Sequence, residues 1–288
     1  MRIRNELVKI ATSAGGSFKT VNDRQNIAIR IAELLKGNNV QITTIEHLKS
    51  KHIEDYISLR LASGMTKRTI QNEMAAIRVI LRVANRIDLA DSKRISNSSL
   101  GISGASRKGT HKAMPDDMFE SLIKTLEQEN RGVMACVLLE RHLGLRGEEA
   151  VQSCKSLKTW KKQLELGDRV RVIFGTKGGK ARDTRVVSVE KALAAVDFGL
   201  DCIRESNGRL IDKPNLKVAM HRYSNLLRKT GCKGEFSPHS LRYAFVVDRV
   251  DKYLEEGYSS EESFAMTSLD IGHGDGRGRY VKQIYYQR

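Results

Sequence analysis

The chain has 288 residues, more than a usual single domain, and its 50 Lys and Arg against 34 Asp and Glu give a formal net charge of +16. We therefore expect two domains and a polyanionic partner, with nucleic acid favoured over acidic membrane. The sequence has neither an apolar run of about 18 residues nor a strongly amphipathic basic anchor, so we expect no membrane protein.

The first 110 residues contain 19 of the Lys and Arg but only nine of the Asp and Glu, so positive charge is concentrated there. Apolar residues in FKTVNDRQNIAIRIAELLKG (18–37) recur at helical spacing, and the pattern ends at Gly37. The segment TKRTIQNEMAAIRVILRVANR (66–86) has a cleaner apolar stripe, made of Ile70, Met74, Ile77, Ile80 and Leu81. Both segments predict helices, and together they predict a helical domain.

Basic side chains outside this stripe give the second helix a positively charged face. They are Lys67, Arg68, Arg78, Arg82 and Arg86. We predict that they contact DNA phosphates. Each of them alone is equally consistent with an ordinary solvated helix face, so the prediction depends on their number.

Residues 91–112, DSKRISNSSLGISGASRKGTHK, are rich in Ser, Gly and cations and lack apolar periodicity. We place a helical DNA-binding domain at 1–95, a linker at 96–113 and a second domain at 114–288. The second domain predicts helices at about 116–129 and 132–143, two strands in VRVIFGTKGGKARDTRVVSV that turn through Gly178 and Gly179, and more helices from 190. The expected fold class is mainly α with a small antiparallel β-sheet in an α+β second domain.

The four cysteines, Cys136, Cys154, Cys202 and Cys232, are widely spaced and form no C-x-x-C motif. The amino terminus MRIRNELVKI lacks the apolar stretch of a secretory signal. We therefore expect reduced thiols and a cytoplasmic protein.

The first candidate site is the block GLRGEEA (144–150), in which Arg146 and Glu149 are three residues apart. On a helix such a pair shares one face. Taken alone, the pair is better explained as a surface ion pair without any function, so its meaning depends on the other blocks.

The block SPHSLRYAF (237–245) predicts the start of a helix, with Ser237 as the N-cap and Pro238 at the first helical position. His239 and Arg242 then lie one turn apart near a helix N-terminus, where anions bind. An imidazole and a guanidinium placed there suit phosphate oxygens. We expect a phosphate clamp, and a structural histidine is the alternative.

Two further groups complete the candidates. Lys177 lies at the bend of the predicted hairpin, where the Gly pair allows close approach and a flexible ammonium can reach a leaving oxygen, although a polar turn explains it equally well. His273, in LDIGHGDGRGRYVKQIYYQR, is followed by three tyrosines. We expect one of these phenols to take part in chemistry.

Together these blocks resemble the tyrosine recombinases, or phage integrase family, because GLRGEEA, TKGGKAR, PHSLRYAF, IGHGDG and QIYYQR follow the family's order. The resemblance covers roughly residues 115–288, and the first part looks like the family's core-binding domain through TKRTIQNEMAAIRVIL. It implies a site-specific DNA recombinase or integrase of a mobile element, which needs neither metal nor cofactor. It also implies four protomers assembled on two duplex DNA sites.

The resemblance assigns catalytic roles to seven positions, which are Arg146, Glu149, Lys177, His239, Arg242, His273 and Tyr285. The two arginines clamp the scissile phosphate with support from the glutamate, and the histidines donate further hydrogen bonds. The lysine protonates the departing 5′-oxygen, and the tyrosine attacks to form a phosphotyrosyl ester that keeps the energy of the broken strand. Lys180 and Arg182, beside the hairpin turn, are expected to contact DNA.

The spacing between the last histidine and the nucleophile departs from the family. The family usually has nine positions there, whereas His273 and Tyr285 are twelve apart, which predicts a three-residue loop extension in GDGRGRY. Counting nine reaches Lys282, which cannot be the nucleophile, and aligning QIYY selects Tyr285. Tyr286 stays open as the second choice, and we expect Tyr280 to be structural.

Three other functions remain as alternatives. A type IB topoisomerase also passes through a phosphotyrosine, and the order of the blocks with the two-part layout favours recombination over it. A DNA-binding protein without activity would keep the basic clamp. The complete set of candidate catalytic residues argues against this alternative. Metal-dependent transposases and nucleases need clustered carboxylates, and the sequence shows no convincing cluster.

Overall fold

The structure is a computed structural model that describes residues 2–106, 109 and 111–287. Its contacts divide the chain into two units, Met1–Ser106 and Arg107–Arg288. The division falls inside the segment 96–113 that we expected to be a linker. The part of this segment before the division is folded with the first unit, where Ile102 is buried. Residues 107, 108 and 110 of the segment lie outside the described residues.

The first unit is helical. Its helices are α1 (Arg2–Ser13), α2 (Phe18–Gly37), α3 (Ser50–Ala62), α4 (Lys67–Val83) and α5 (Ile87–Ala90). The two helices predicted from the sequence correspond to α2 and α4, so both predictions are confirmed. The apolar stripe of α4, from Ile70 to Leu81, is buried against α1 and α2. The Ser17 hydroxyl caps α2 by accepting a hydrogen bond from the Thr20 amide at 3.2 Å.

A buried carboxylate ties three of these helices together. Glu73 of α4 accepts hydrogen bonds from the Tyr56 hydroxyl at 2.8 Å and from Arg60 at 2.8 and 3.0 Å, both on α3. Arg30 of α2 adds a bond at 3.0 Å. Burial by itself raises the pKa of Glu73, but the hydrogen bonds from Arg60 and Tyr56 outweigh it and lower the pKa. The carboxylate is therefore a charged junction of α2, α3 and α4.

The second unit combines helices with one small sheet. Its helices are α6 (Asp116–Glu129), α7 (Arg131–Leu143), α8 (Gly147–Val151), α9 (Leu157–Leu166), α10 (Val189–Glu205), α11 (Leu216–Lys229), α12 (Ser240–Glu255), α13 (Ser260–Asp270) and α14 (Gly278–Ile284). The helices expected at about 116–129 and 132–143 correspond to α6 and α7. The predicted class, mainly α with a small antiparallel sheet, is confirmed. No helix among the described residues has the length and apolar character to cross a membrane.

The sheet consists of strands β1 (Arg169–Val172) and β2 (Arg182–Arg185), which pair antiparallel with Val172 opposite Arg182. The expected strand pair is confirmed, although the strands are shorter than the apolar pattern suggests because Ile173 and the residue after it leave the ladder and are exposed. At the turn, Gly178 and Gly179 both have a φ of 71°, the left-handed backbone that glycine tolerates best.

The start of α12 differs from the prediction. The helix begins at Ser240 with His239 at the N-cap, rather than at Pro238 with Ser237 at the N-cap. A tight turn causes this difference, because the Ser237 carbonyl accepts from the Ser240 amide at 2.8 Å. The Ser237 hydroxyl is 3.2 Å from His111 Nδ1, so it does not cap the helix.

The carboxyl-terminal helices α13 and α14 pack on each other and α13 packs on α12. A buried cluster joins them, which includes Phe245 of α12, Phe264 of α13 and Ile284 of α14. Tyr285 directly follows α14 and belongs to the same cluster. The packing of these helices therefore fixes where the terminal tyrosines lie.

Candidate active site

The connection between α7 and α8 places Arg146 and Glu149. Gly144 ends α7 with a φ of 62°, and a Cβ there would lie 2.4 Å from the Phe245 ring, so the position requires glycine. Arg146 occupies the N-cap of α8, and the Glu149 carboxylate accepts from its amide at 2.7 Å and from its Nη1 at 2.8 Å. The pair is therefore not two neighbours on a helix face but an ion pair at a helix start.

Glu149 is buried among guanidinium groups. Arg182 donates to its two carboxylate oxygens at 2.6 and 2.7 Å, and Arg242 Nη1 is 3.7 Å away. Burial by itself raises the pKa of Glu149, but the hydrogen bonds and charge of Arg182, followed by the charge of Arg242 and the Arg146 amide, lower it to about 2. Three arginines thus surround one ionised carboxylate, which leaves an excess of positive charge for an anionic ligand.

Arg242 is fully buried in α12. Its two terminal nitrogens donate to the backbone carbonyls of Gly144 and Ile271. Arg146 Nη2 donates to the same Ile271 carbonyl at 3.4 Å, so the two guanidiniums converge on one backbone atom. Burial, followed by the charges of Arg182 and Arg146, lowers the pKa of Arg242 to about 9, and the side chain stays charged at neutral pH.

Two histidines lie beside the Tyr285 hydroxyl. His239 Nε2 is 3.3 Å from it, and His273 Nε2 is 3.0 Å from it. His273 follows α13, where its amide bonds the Ser268 carbonyl at 2.9 Å. Burial raises the pKa of Tyr285, and the charge of Arg242 works against this effect. The phenol is therefore neutral at rest and has two imidazole nitrogens within proton-transfer distance.

The two imidazoles are uncharged at neutral pH. Burial, followed by the charge of Arg242, lowers the pKa of His239 to about 4 and the pKa of His273 to about 3. Each neutral ring has one nitrogen that donates and one that accepts. A bound phosphate would oppose the effect of the arginines and favour protonation of either ring.

These depressed pKa values predict that acid weakens the fold. The unfolded chain binds the two protons near pH 6.5, whereas the folded chain binds them only near pH 4 and 3, so the free energy of unfolding decreases as pH falls from about 6.5 to 3. The melting temperature, measured between about pH 7 and 4, should decline, and less steeply in His273→Gln. A constant melting temperature, or parallel curves for the two proteins, would contradict the prediction.

The sequence did not single out Tyr243, yet its ring lies on Tyr285 with centroids 4.5 Å apart and planes at 34°. Tyr243 lies in the first turn of α12, four residues after the N-cap His239, and this spacing could have indicated that it is close to the site. His111 was also missed. Its ring is 6.4 Å from that of His239, and nothing in the surrounding Ser- and Gly-rich sequence indicated a role.

The other two carboxyl-terminal tyrosines lie in different environments. The Tyr286 hydroxyl donates to Asp251 at 2.7 Å, and its ring packs edge-on against Phe264. Tyr280 is 39% exposed, with its ring centroid 5.2 Å from that of His273 and 6.3 Å from that of Tyr285. Of the three terminal phenols, Tyr285 is the one placed between the two histidines.

The predicted residues of the hairpin are divided between surface and interior. Lys177 and Lys180 are exposed on the turn, and within the described part of the chain Lys177 has no hydrogen-bond or ion-pair partner. Arg182 was expected to contact DNA, but it is buried and bound to Glu149. Both of its terminal nitrogens are bound to Glu149 in the interior, so Arg182 does not lie on the exposed face of the hairpin as that prediction assumed.

The predicted DNA-binding residues of the first unit are similarly divided. Lys67 and Arg68 are exposed, and the exposed Arg82 pairs with Asp91. Arg78 instead donates to the Ile95 carbonyl and the Asn97 side chain, and Arg86 donates to the carbonyls of Ile45, Glu46 and Leu48. These two arginines donate to carbonyls at or beside two short 3-10 helices, Lys93–Ile95 and Ile45–His47, so part of each guanidinium is used inside the first unit.

The comparisons with known proteins agree with this architecture. Residues 101–248 match the family model described as Integrase, and residues 1–90 match the one described as Phage integrase, N-terminal. A search of the curated proteins finds no match. Within the described residues, no group of three or more His, Cys, Asp or Glu side chains could hold a metal ion.

Three similar solved structures show the fold. The Tn1549 transposon integrase in complex with transposon right end DNA has a TM-score of 0.59 and 13% identity, over 100% of this chain and 96% of that chain. The XerH site-specific recombinase bound to difH substrate gives 0.58 and 13%, over 99% and 81%. A lambda integrase tetramer bound to a Holliday junction gives 0.56 and 15%, over 96% and 75%. Since the first family model alone spans just over half of its residues, the chain belongs to the integrase family, the tyrosine recombinases.

Proposed function

We propose that this chain is a site-specific DNA recombinase that cuts and rejoins strands through a 3′-phosphotyrosyl intermediate. The observation that supports this best is the position of the Tyr285 hydroxyl, 3.0 Å from His273 and 3.3 Å from His239, beside an arginine cluster built around Glu149. A phenol between neutral imidazoles and next to guanidiniums suits attack on a phosphodiester.

In the proposed reaction the Tyr285 oxygen attacks phosphorus while the bond to the 5′-oxygen breaks. The phenolic proton passes to one of the two Nε2 atoms, of which that of His273 is the nearer. Lys177, on its exposed turn, gives a proton to the departing 5′-oxygen. The reverse attack by a 5′-hydroxyl restores the diester, so the cycle as written consumes no nucleotide cofactor.

The arginines would bind the phosphate and stabilise its charge in the transition state. Arg146 keeps 22% of its side chain exposed, whereas Arg242 is fully buried, so Arg146 faces the approaching strand and Arg242 forms the floor. The carbonyls that hold Arg242 fix its direction before the substrate arrives. Such fixed donors cost little reorganisation during the reaction, which is what makes them effective.

We propose duplex DNA as the substrate and four copies of this chain, assembled on two sites, as the active form. The lambda integrase relative is a tetramer bound to a Holliday junction, and the XerH relative is bound to difH substrate. The net charge of +16 and the exposed Lys67, Arg68, Lys177 and Lys180 support a polyanionic partner. Non-specific affinity should therefore fall steeply with salt, with a log–log slope of roughly −0.9 per neutralised phosphate.

The proposal is tested with the full chain and nicked suicide duplexes. The target sequence is first obtained by selecting tightly bound molecules from random duplexes. With that duplex, in the presence of EDTA, we expect a denaturant-stable protein–DNA adduct. A chain that binds the duplex but forms no adduct would instead be a DNA-binding relative without activity.

A type IB topoisomerase would form the same adduct, so a second assay separates the two activities. We expect exchange only between two plasmid copies of the selected site. Relaxation of any supercoiled plasmid, without exchange, would support the topoisomerase and contradict site-specific recombination.

A further inference from the structure

We propose that Arg182 is a positioning residue for strand cleavage, which holds the turn that carries Lys177 in register with the arginine cluster and does not itself touch DNA. This inference rests on the proposed function, because it assigns the means by which the expected general acid is placed. It replaces the expected role of Arg182 in DNA binding.

Every nitrogen of the Arg182 guanidinium has a partner inside the protein. The two terminal nitrogens bind the two oxygens of Glu149 at 2.6 and 2.7 Å, which is a bidentate pair. Nε donates to the Thr184 hydroxyl at 3.2 Å and to the Asp270 carbonyl at 3.0 Å. The side chain is only 6% exposed, so a phosphate could reach it only by breaking these bonds.

Two of these partners, Glu149 and Asp270, belong to separate segments that carry candidate catalytic groups. Glu149 lies in α8 and is bound at the same time to Arg146. Asp270 ends α13, three residues before His273, and a Cβ at the intervening Gly272 would lie 2.7 Å from Arg182 Cδ. Arg182 itself begins β2. One side chain therefore joins the hairpin to both segments.

The turn between the strands has little structure of its own to fix Lys177. Residues 177–180 are all exposed, and the bonds within the turn are those of Gly179 to the Thr176 carbonyl and of the Thr176 hydroxyl to the Ile173 carbonyl, both at 3.1 Å. A flexible lysine on such a turn depends on the ends of the turn for its position.

Both ends of the turn are fixed to the same helix. At the first end, a Cβ on Gly175 would lie 2.6 Å from the Glu148 carbonyl oxygen, so this backbone lies directly against α8. At the second end, Arg182 is paired with Glu149 of α8. Glu149 is also paired with Arg146. The turn that carries Lys177, the expected acid, and Arg146 of the phosphate clamp are therefore both positioned through Glu149.

The test separates loss of the acid from loss of the clamp by changing the leaving group. The scissile phosphate is first located from the adduct of the unaltered protein. Its bridging 5′-oxygen is then replaced by sulfur, because a 5′-thiolate leaves without accepting a proton. On this substrate a misplaced Lys177 costs little, whereas a damaged arginine clamp or fold costs as much as before.

The main variant is Arg182→Lys, which keeps the charge and the aliphatic stem but loses the bidentate pair. We expect its adduct rate on ordinary DNA to fall about 10²-fold, as for the loss of a general acid, and to return to within about threefold of the unaltered protein on the sulfur substrate. Lys177→Ala should show the same pattern and serves as the reference. Arg182→Met, which also loses the charge, should lose at least as much on ordinary DNA.

The matched control is Arg171→Lys. Arg171 lies in β1 of the same hairpin and pairs with Asp183 at 3.0 Å, but both side chains are about half exposed. Its rates on both substrates should be unchanged, and the melting temperature of each variant reports whether it is folded. If Arg182→Met does not fold, Arg182→Lys carries the test by itself.

Two outcomes would overturn the inference. One is an unchanged rate on ordinary DNA in both Arg182 variants, and the other is a loss that the sulfur substrate does not restore. If the unaltered protein itself formed no adduct, the proposed function would fail and this inference with it. Adduct formation by the unaltered protein thus separates failure of the function from failure of the positioning role.

Discussion

Tyr285→Phe should abolish covalent protein–DNA adducts while leaving the affinity for the same duplex within about threefold. The variant lacks the attacking oxygen but keeps a ring of the same shape, which can retain the stacking on Tyr243 at 4.5 Å. It loses the contacts of the hydroxyl with His239 and His273, which should cost about 1 kcal/mol of the free energy of unfolding. Adducts are counted on denaturing gels, and binding is measured by mobility shift.

The matched control for this variant is Tyr286→Phe. Its hydroxyl binds Asp251, away from the two histidines, so its removal should leave adduct formation nearly unchanged. Adducts that persist in Tyr285→Phe and vanish in Tyr286→Phe would transfer the role to the neighbouring tyrosine. That result would also mean that the helix end rearranges when DNA binds.

Arg242→Lys should lower the adduct rate by about 10³-fold or more, with a much smaller change in DNA affinity. The guanidinium reaches the Gly144 and Ile271 carbonyls at the same time, whereas a single ammonium cannot reproduce this fork. A lysine there would leave a carbonyl unpaired and would present its charge in the wrong direction. Pre-steady-state adduct formation on the suicide duplex measures the effect directly.

Arg249→Lys provides the control for burial. Arg249 lies two turns further along α12 and is 1% exposed. It donates to the Val186 carbonyl at 3.1 Å, and its guanidinium carbon lies 3.8 Å from the Tyr253 ring centroid. We expect a comparable loss of thermal stability but nearly normal adduct formation. Equal losses of rate in the two variants would show that Arg242 acts through the fold and not at the phosphate.

The sequence predicted those features that depend on neighbours in the chain. The helices α2 and α4, the hairpin and its glycine turn follow from local periodicity and turn chemistry, and the structure contains them. Tyr285 was selected by matching QIYY to the family pattern, and the structure places it between His239 and His273. That its ring also stacks on Tyr243 depends on how α12 and α14 pack.

The residues that the structure places differently from the sequence-based expectation have partners far away in the sequence. From the sequence, Arg182 is interpreted as one more cation of a basic hairpin, because its partner Glu149 is 33 residues away. Arg86 reads as a surface residue of a helix, yet it binds carbonyls near Ile45, 41 residues away. Sequence composition records the charge of these residues, but not the buried acceptors that use it.

The most direct test of the central claim is to identify the residue that carries the DNA. The adduct formed on a suicide duplex is digested with nuclease and protease, and the modified peptide is sequenced by mass spectrometry. We predict a nucleotide that is joined through its 3′-phosphate to the oxygen of Tyr285, in the peptide that contains QIYY. A nucleotide on any other side chain, or DNA cleavage without a covalent peptide, would contradict the mechanism.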